Sequence, residues 1–238
     1  SSFNKKTVSC WGQALIRSSM AGTLDRIPVR LMDDDMDGKF SQKSSLRGGD
    51  AILIGSSTAA VPLKTIHRIG KHIYRLKVAP DGSSIDYERM DDTAIGQVNT
   101  VFPSSILKSL VLVSKDGAFD VKTDGTAGIP GGEYQLAYGV VSRSAATLSF
   151  KPGMATPKYN IQDGMINTLR IGLPMRLEFN ATYRAGKVGL SAGAVSIIGS
   201  GSERYGPINF TRGGNARPPR VTMLSGTRVV SSSDMEYG

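Results

Sequence analysis

Apolar residues recur at every second position in short runs along most of this chain, and nearly every run ends at a glycine turn. Tyr74, Leu76 and Val78 alternate with Arg75 and Lys77, then Asp81-Gly82 leads into Ile85 and Tyr87, the pattern of a β-hairpin. Tyr134, Leu136, Tyr138 and Val140 alternate in the same way, and Leu110-Val111-Leu112-Val113 is an apolar run of strand length. Asp116-Gly117, Pro152-Gly153 and Asp163-Gly164 punctuate the connections. A period of two belongs to extended backbone. The chain is therefore expected to be all-β, built as two antiparallel β-sandwich-like domains. Helical spacing is confined to residues 13–20 and to a turn near residues 104–110. The turn-rich stretch from Asp124-Gly125 to Pro130-Gly131-Gly132 sets the expected boundary, with an N-terminal β domain over residues 1–126 and a C-terminal one over 127–238.

One segment states a chemistry. Asp33, Asp35 and Asp37 stand at alternate positions and Gly38 follows, the first half of a D-x-D-x-D-G calcium loop. Alternate carboxylates can converge on one ion while the intervening side chains point away, and the glycine permits the sharp turn. Lys39 falls where such a loop uses its backbone carbonyl, Phe40 at the apolar position, and Ser41 where a ligand acts directly or through water. Position twelve is Ser44 rather than a bidentate glutamate. Asp50, after Gly48-Gly49, is the expected closing acid. The flanks are strand-like: Ile27, Val29 and Leu31 alternate on one side and Ala51-Ile52-Leu53-Ile54 follows on the other. The expectation is a strand-loop-strand clip holding Ca2+ with the weak affinity of extracellular modules, about 10⁻⁴ to 10⁻³ M.

At 238 residues with 39% hydrophobic content the chain can bury a substantial core. No window approaches the roughly 18 uninterrupted apolar residues that a membrane helix needs. A net charge of +9 invites a nucleic-acid reading, but most basic residues are interspersed with acids, so no specific nucleic-acid site is expected. The region after Glu203 is the exception, and Arg212, Arg217 and Arg220 within it, among glycines and prolines, are expected to form an extended basic arm that engages partners. The single cysteine, Cys10, excludes an internal disulfide framework and multi-cysteine metal sites.

Other motifs carry less. Gly189-Leu190-Ser191-Ala192-Gly193 matches the G-x-S-x-G nucleophile elbow, yet both histidines, His67 and His72, precede it, against the chain order that chemistry uses. The histidines lie in a basic segment without acids or cysteines and are expected to be surface or strand residues. Gly199-Ser200-Gly201-Ser202-Glu203 lacks the lysine of a phosphate loop and is expected to be a turn. Glu133 and Glu178 have no identifiable partner for a paired-carboxylate mechanism. A non-enzymatic protein is expected.

The order Cys10-Trp11, the residue 33–38 loop with Gly49-Asp50, the Tyr74 hairpin, Gly131-Gly132-Glu133-Tyr134 and Gly199-Ser200-Gly201-Ser202-Glu203-Arg204-Tyr205 resembles uncharacterised secreted β-rich proteins of planctomycete-type bacteria. The acidic loop is similar to those of dockerins over about a dozen residues. These resemblances imply an exported protein with a structural calcium, in the periplasm, outside the cell or at its surface. The expected role is structural or adhesive, within a larger assembly of homo- or hetero-oligomeric subunits. Two alternatives stand beside it: a carbohydrate-binding module using Tyr134, Tyr138 and Tyr183 as a glycan platform, and a virion shell subunit. A glycan or an anionic polymer is the further partner class.

Overall fold

The computed structural model describes residues 4–8, 17–42, 49–103, 106–121, 128–185, 187–190, 195–210 and 220–234. The described residues are all-β and contain no helix. Strands β1 (Asn4–Val8), β2 (Arg17–Leu24), β3 (Ile27–Met32), β4 (Ala51–Ile54) and β5 (Val61–Pro62) form one antiparallel sheet in that order. Strands β6 (Ile66–Ile69), β7 (His72–Val78) and β8 (Ile85–Arg89) form a three-stranded meander, and β7 pairs β8 through the expected hairpin, Val78 opposite Ile85. Its Asp81-Gly82 turn needs glycine: φ is +71° at Gly82, and a Cβ there would sit 2.5 Å from the Phe40 ring.

The chain continues through β9 (Ile95–Thr100), β10 (Leu107–Val113), β11 (Ala118–Asp120), β12 (Gly128–Pro130), β13 (Gly132–Arg143), β14 (Ala146–Lys151), β15 (Tyr159–Ile161) and β16 (Ile166–Leu169). After these come β17 (Arg176–Glu178), β18 (Ala181–Arg184), β19 (Lys187–Leu190), β20 (Ser196–Ile198), β21 (Arg204–Phe210), β22 (Arg220–Ser225) and β23 (Arg228–Asp234). The largest sheet runs β11-β10-β13-β14-β21-β20-β17, with β15 added beside β13. Strands β12, β9 and β16 make a small sheet whose β9–β16 pair is parallel. Two ribbons, β18–β19 and β22–β23, stand as separate two-stranded sheets.

Strand β10 explains its own composition. Leu110 and Leu112 enter one core cluster with Val98, Phe102, Ile129, Leu136 and Phe150, while Val111 and Val113 enter a second with Val29, Leu31, Ile52, Leu76 and Ile85. A strand covered on both faces has no polar side to show, so its sequence is continuous rather than alternating. The large sheet is thus the common wall between two cores. The expected boundary at residue 126 lies outside the described residues, and strands from either side of it, β10 and β13, are hydrogen-bonded neighbours.

The helix expected over residues 13–20 is corrected where it is described, because Arg17–Leu24 is a strand paired to β3 from Ser19–Met32 to Leu24–Ile27. Cross-strand pairing overrides the weak helical spacing of that segment. Of the turn expected near residues 104–110, residues 104 and 105 lie outside the described residues; Ile106 and Leu107 both donate their N–H to the Pro103 carbonyl, at 3.0 and 3.4 Å, and Leu107–Val113 is strand β10. Residues 199–203 form the expected turn. Glu203 anchors it, fully buried, and its carboxylate accepts hydrogen bonds from Gly172 N (2.6 Å), Gly201 N (2.9 Å) and the Tyr205 hydroxyl (2.9 Å).

Candidate metal centre

The register of β3 and β4 builds the centre. Leu31 is paired with Ile52 and Met32 with Ala51, and on the inward face Leu31 is buried opposite Ile52, with Val29 buried two residues earlier on the same face. Side chains alternate faces along a strand. Asp33 and Asp50, one step beyond the last pair, therefore continue the buried face and stand opposite each other. Asp33 is 3% and Asp50 2% exposed. The sheet face that buries aliphatic carbon thus ends in two carboxylates at the base of the loop.

The loop above brings more acids inward. Asp33, Asp35 and Asp37 each place a carboxylate oxygen within 4.8 Å of the others, and burial falls from Asp33 through Asp35 to the exposed Asp37. Positive φ at Met36 (58°) and Gly38 (77°) turns the backbone between them; glycine adopts that region freely and methionine does so at a cost. Gly38 N–H donates to Asp33 Oδ2 at 3.1 Å, and Lys39 N–H donates to Asp37 Oδ1 at 2.8 Å. The Lys39 side chain is exposed. Three carboxylates this close together, two of them held by backbone donors, can hold a metal ion.

Asp50 is held from the other side. Ser41 donates its N–H to Asp50 Oδ2 at 2.6 Å and its hydroxyl to the same oxygen at 3.4 Å. The second oxygen, Oδ1, is buried without a hydrogen bond of ordinary geometry. Burial pushes the Asp50 carboxyl above the ordinary carboxylate range; the charges of Asp35 and Asp33 add to this, while the backbone N–H groups of Ser41 and Asp34 oppose it. Repulsion from two other acids records how near the carboxylates lie, and a cation among them would reverse it.

The sequence brought Asp33, Asp35, Asp37, Ser41 and Asp50 into view; it did not reveal what fixes the loop's exit. Gln42 donates through Nε2 to the Lys64 and Leu76 carbonyls, both at 2.8 Å, and accepts Val78 N–H at 3.3 Å. Phe40 N–H donates to the Pro80 carbonyl at 2.7 Å, and its ring is buried. These bonds tie the loop to β7 and the following turn. A lone glutamine in a polar stretch carries no pattern that marks such a role.

Other expected residues are distributed differently. His67 is a fully buried strand residue, its Nε2 against the backbone of Lys64, and burial lowers its pKa to about 4. Tyr134 is buried with its hydroxyl donated to the Pro130 carbonyl; Tyr138, half-buried, donates to the Ala60 carbonyl, and burial raises its pKa to about 12. Tyr183 alone of the three aromatic candidates is exposed. Glu133 pairs with Lys158 at 2.7 Å on the surface. Ser191 of the elbow-like motif, Arg212 and Arg217 lie outside the described residues. Arg220 opens β22, donates to Ser232 Oγ at 2.9 Å and approaches Asp234 at 3.7 Å, so at that position the expected arm is a ribbon strand.

No protein-family model matches the chain, and comparison with curated proteins and with solved structures likewise finds no match.

Proposed function

We propose that this is an exported, non-enzymatic structural or adhesive protein in which a calcium ion braces the junction of β3 and β4. One observation carries the reading: two buried carboxylates face each other where a hydrophobic sheet face ends, with Asp35 above them and one Asp50 oxygen without a hydrogen bond of ordinary geometry. Isolated buried charge is costly, and a hard cation with oxygen ligands offsets that cost. Asp33, Asp35, Asp37 and Asp50 would hold the ion, with Lys39 through its carbonyl and Ser41 completing the shell. Flexible carboxylate loops suit calcium better than magnesium, which demands a smaller octahedral site.

An assembled state, a shell of like subunits being one form of it, is supported by the ribbons that leave apolar strand faces exposed. The exported setting is supported by weak calcium loops of this kind, which suit calcium-rich surroundings.

The calcium reading is tested by thermal melting. A hundredfold excess of calcium over its dissociation constant stabilises by about 2.7 kcal/mol, which for a chain of this size raises Tm by roughly 5–10 °C. Magnesium is expected to raise it less. Superimposable curves in calcium and in EDTA would remove the ion from the proposal.

A further inference from the structure

From Met175 to Arg184 the chain alternates without a break: Met175, Leu177, Phe179, Ala181 and Tyr183 are apolar, and Arg176, Glu178, Asn180, Thr182 and Arg184 are polar. Such a pattern belongs to a strand with one covered face. Here that face is open. Met175 packs against the core, but Leu177 is 63%, Phe179 57% and Tyr183 76% exposed, and Val188, opposite Tyr183 in β19, is also exposed. An apolar row of this length covers on the order of a few hundred Å², the size at which monomer surfaces become interfaces.

The edge is open as well as the face. β17 is the last strand of the large sheet and pairs only with β20, while β18 pairs only with β19, among the described residues. The same arm of chain therefore spends one edge on the strands that return beside it and leaves the other unpaired among the described residues. A two-stranded ribbon such as β18–β19 is marginal by itself, whereas a four-stranded sheet with an apolar face is stable.

The sequence of the arm identifies what covers it. If the arm meets an identical arm antiparallel, with Ala181 on the two-fold axis, Glu178 lies opposite Arg184, Phe179 opposite Tyr183 and Asn180 opposite Thr182, and each pair occurs twice. Opposite charges, aromatic rings and hydrogen-bonding side chains then coincide in one register. Cross-strand pairs of these types each favour a sheet. A closed two-fold contact requires this self-complementarity of a single patch. Glu178 now bonds Arg176 at 2.9 Å, both half exposed, a surface pair of the kind that contributes little.

Resting on the assembly reading above, we infer that a second copy of this chain is the partner of the Met175–Arg184 arm, joined by antiparallel strand pairing centred on Ala181. The test uses the full chain with Glu178→Arg and Arg184→Glu made separately. Each variant alone sets like charges opposite one another twice and is expected to weaken dimers in sedimentation and native mass spectrometry by roughly tenfold or more. When the two variants are mixed in equal amounts, one arm carries arginine at both positions and the other carries glutamate at both. Opposite charges then face each other at both pairs, so heterodimers of wild-type affinity are expected. Ala181→Cys in a Cys10→Ser background is expected to form a disulfide-linked dimer on mild oxidation. Wild-type far-UV circular dichroism spectra, and melting curves that match the wild type at a dilution where it too is monomeric, confirm that folding of the two charge variants is intact.

Oligomers that persist in both variants, with no preference for the mixture, would overturn this contact while leaving assembly standing. A wild-type chain that is monomeric at every concentration would overturn the assembly reading itself, and the calcium melt is judged independently of either.

Discussion

Asp50 faces opposite demands in the presence and absence of a cation, and this makes it the most informative single residue. Its folded pKa is raised, so its stabilising contribution is present below the ordinary value near 3.8 and is lost as pH rises through the folded value. The ion-free protein therefore carries a penalty at neutral pH that the proposed calcium would remove. Asp50→Asn is expected to leave the melting temperature in EDTA unchanged or raised by about 1–3 °C, because a buried charge disappears, while abolishing most of the gain from calcium. A loss of stability in EDTA with the calcium gain intact would assign Asp50 a purely structural part. The calcium gain is also expected to shrink in acid as Asp50 takes up a proton. His67 works in the other sense: its contribution is complete above about 6.5 and lost as pH falls toward 4, which is why paired melts with and without calcium at each pH are the measurement.

Among the elements, the turn at Glu203 shows how a polar group specifies local structure. Both carboxylate oxygens are occupied by donors from Gly172, Gly201 and Tyr205, and a Cβ on Gly199 would lie 1.8 Å from Oε1, so the glycines make room for the carboxylate. Glu203→Gln turns one acceptor into a donor facing N–H or O–H groups and is expected to cost about 2–4 kcal/mol in urea unfolding, against under about 1 kcal/mol for Glu133→Gln at the exposed Lys158 pair. Equal costs would refute the anchoring role. The glycine spacing announced a turn at this place, but the buried carboxylate was not legible, since glutamate in a loop ordinarily faces water. Strand positions were readable wherever alternation met a glycine turn, as at Tyr74–Val78. Helical spacing misleads at Arg17–Met20, where pairing with β3 decides the conformation. The convergence of Asp33, Asp35 and Asp37 was readable because carboxylates at alternate positions before a glycine form a recognisable pattern; Gln42, which uses generic amide bonds, left no such trace.

At the scale of the molecule, β10 makes two cores interdependent. Its alternate residues fill opposite clusters, and its hydrogen-bond partner β13 lies beyond the turn-rich stretch that invites a domain boundary. Unfolding followed by calorimetry is expected to give one transition whose calorimetric and van't Hoff enthalpies agree; two resolved transitions would restore independent halves. The turn signals of residues 124–132 could not reveal this, because glycine-rich punctuation marks where a chain bends and is silent on what crosses the gap. The alignment of Asp33 with Asp50 has a last consequence. Ladder parity, rather than the loop between them, brings the two acids to one side, so adding or deleting a single amino acid inside β3 would turn Asp33 outward while Asp50 stayed behind. Changes between Gln42 and Gly49 leave that parity untouched, which makes this stretch the natural place to insert an epitope tag without dismantling the acid pair.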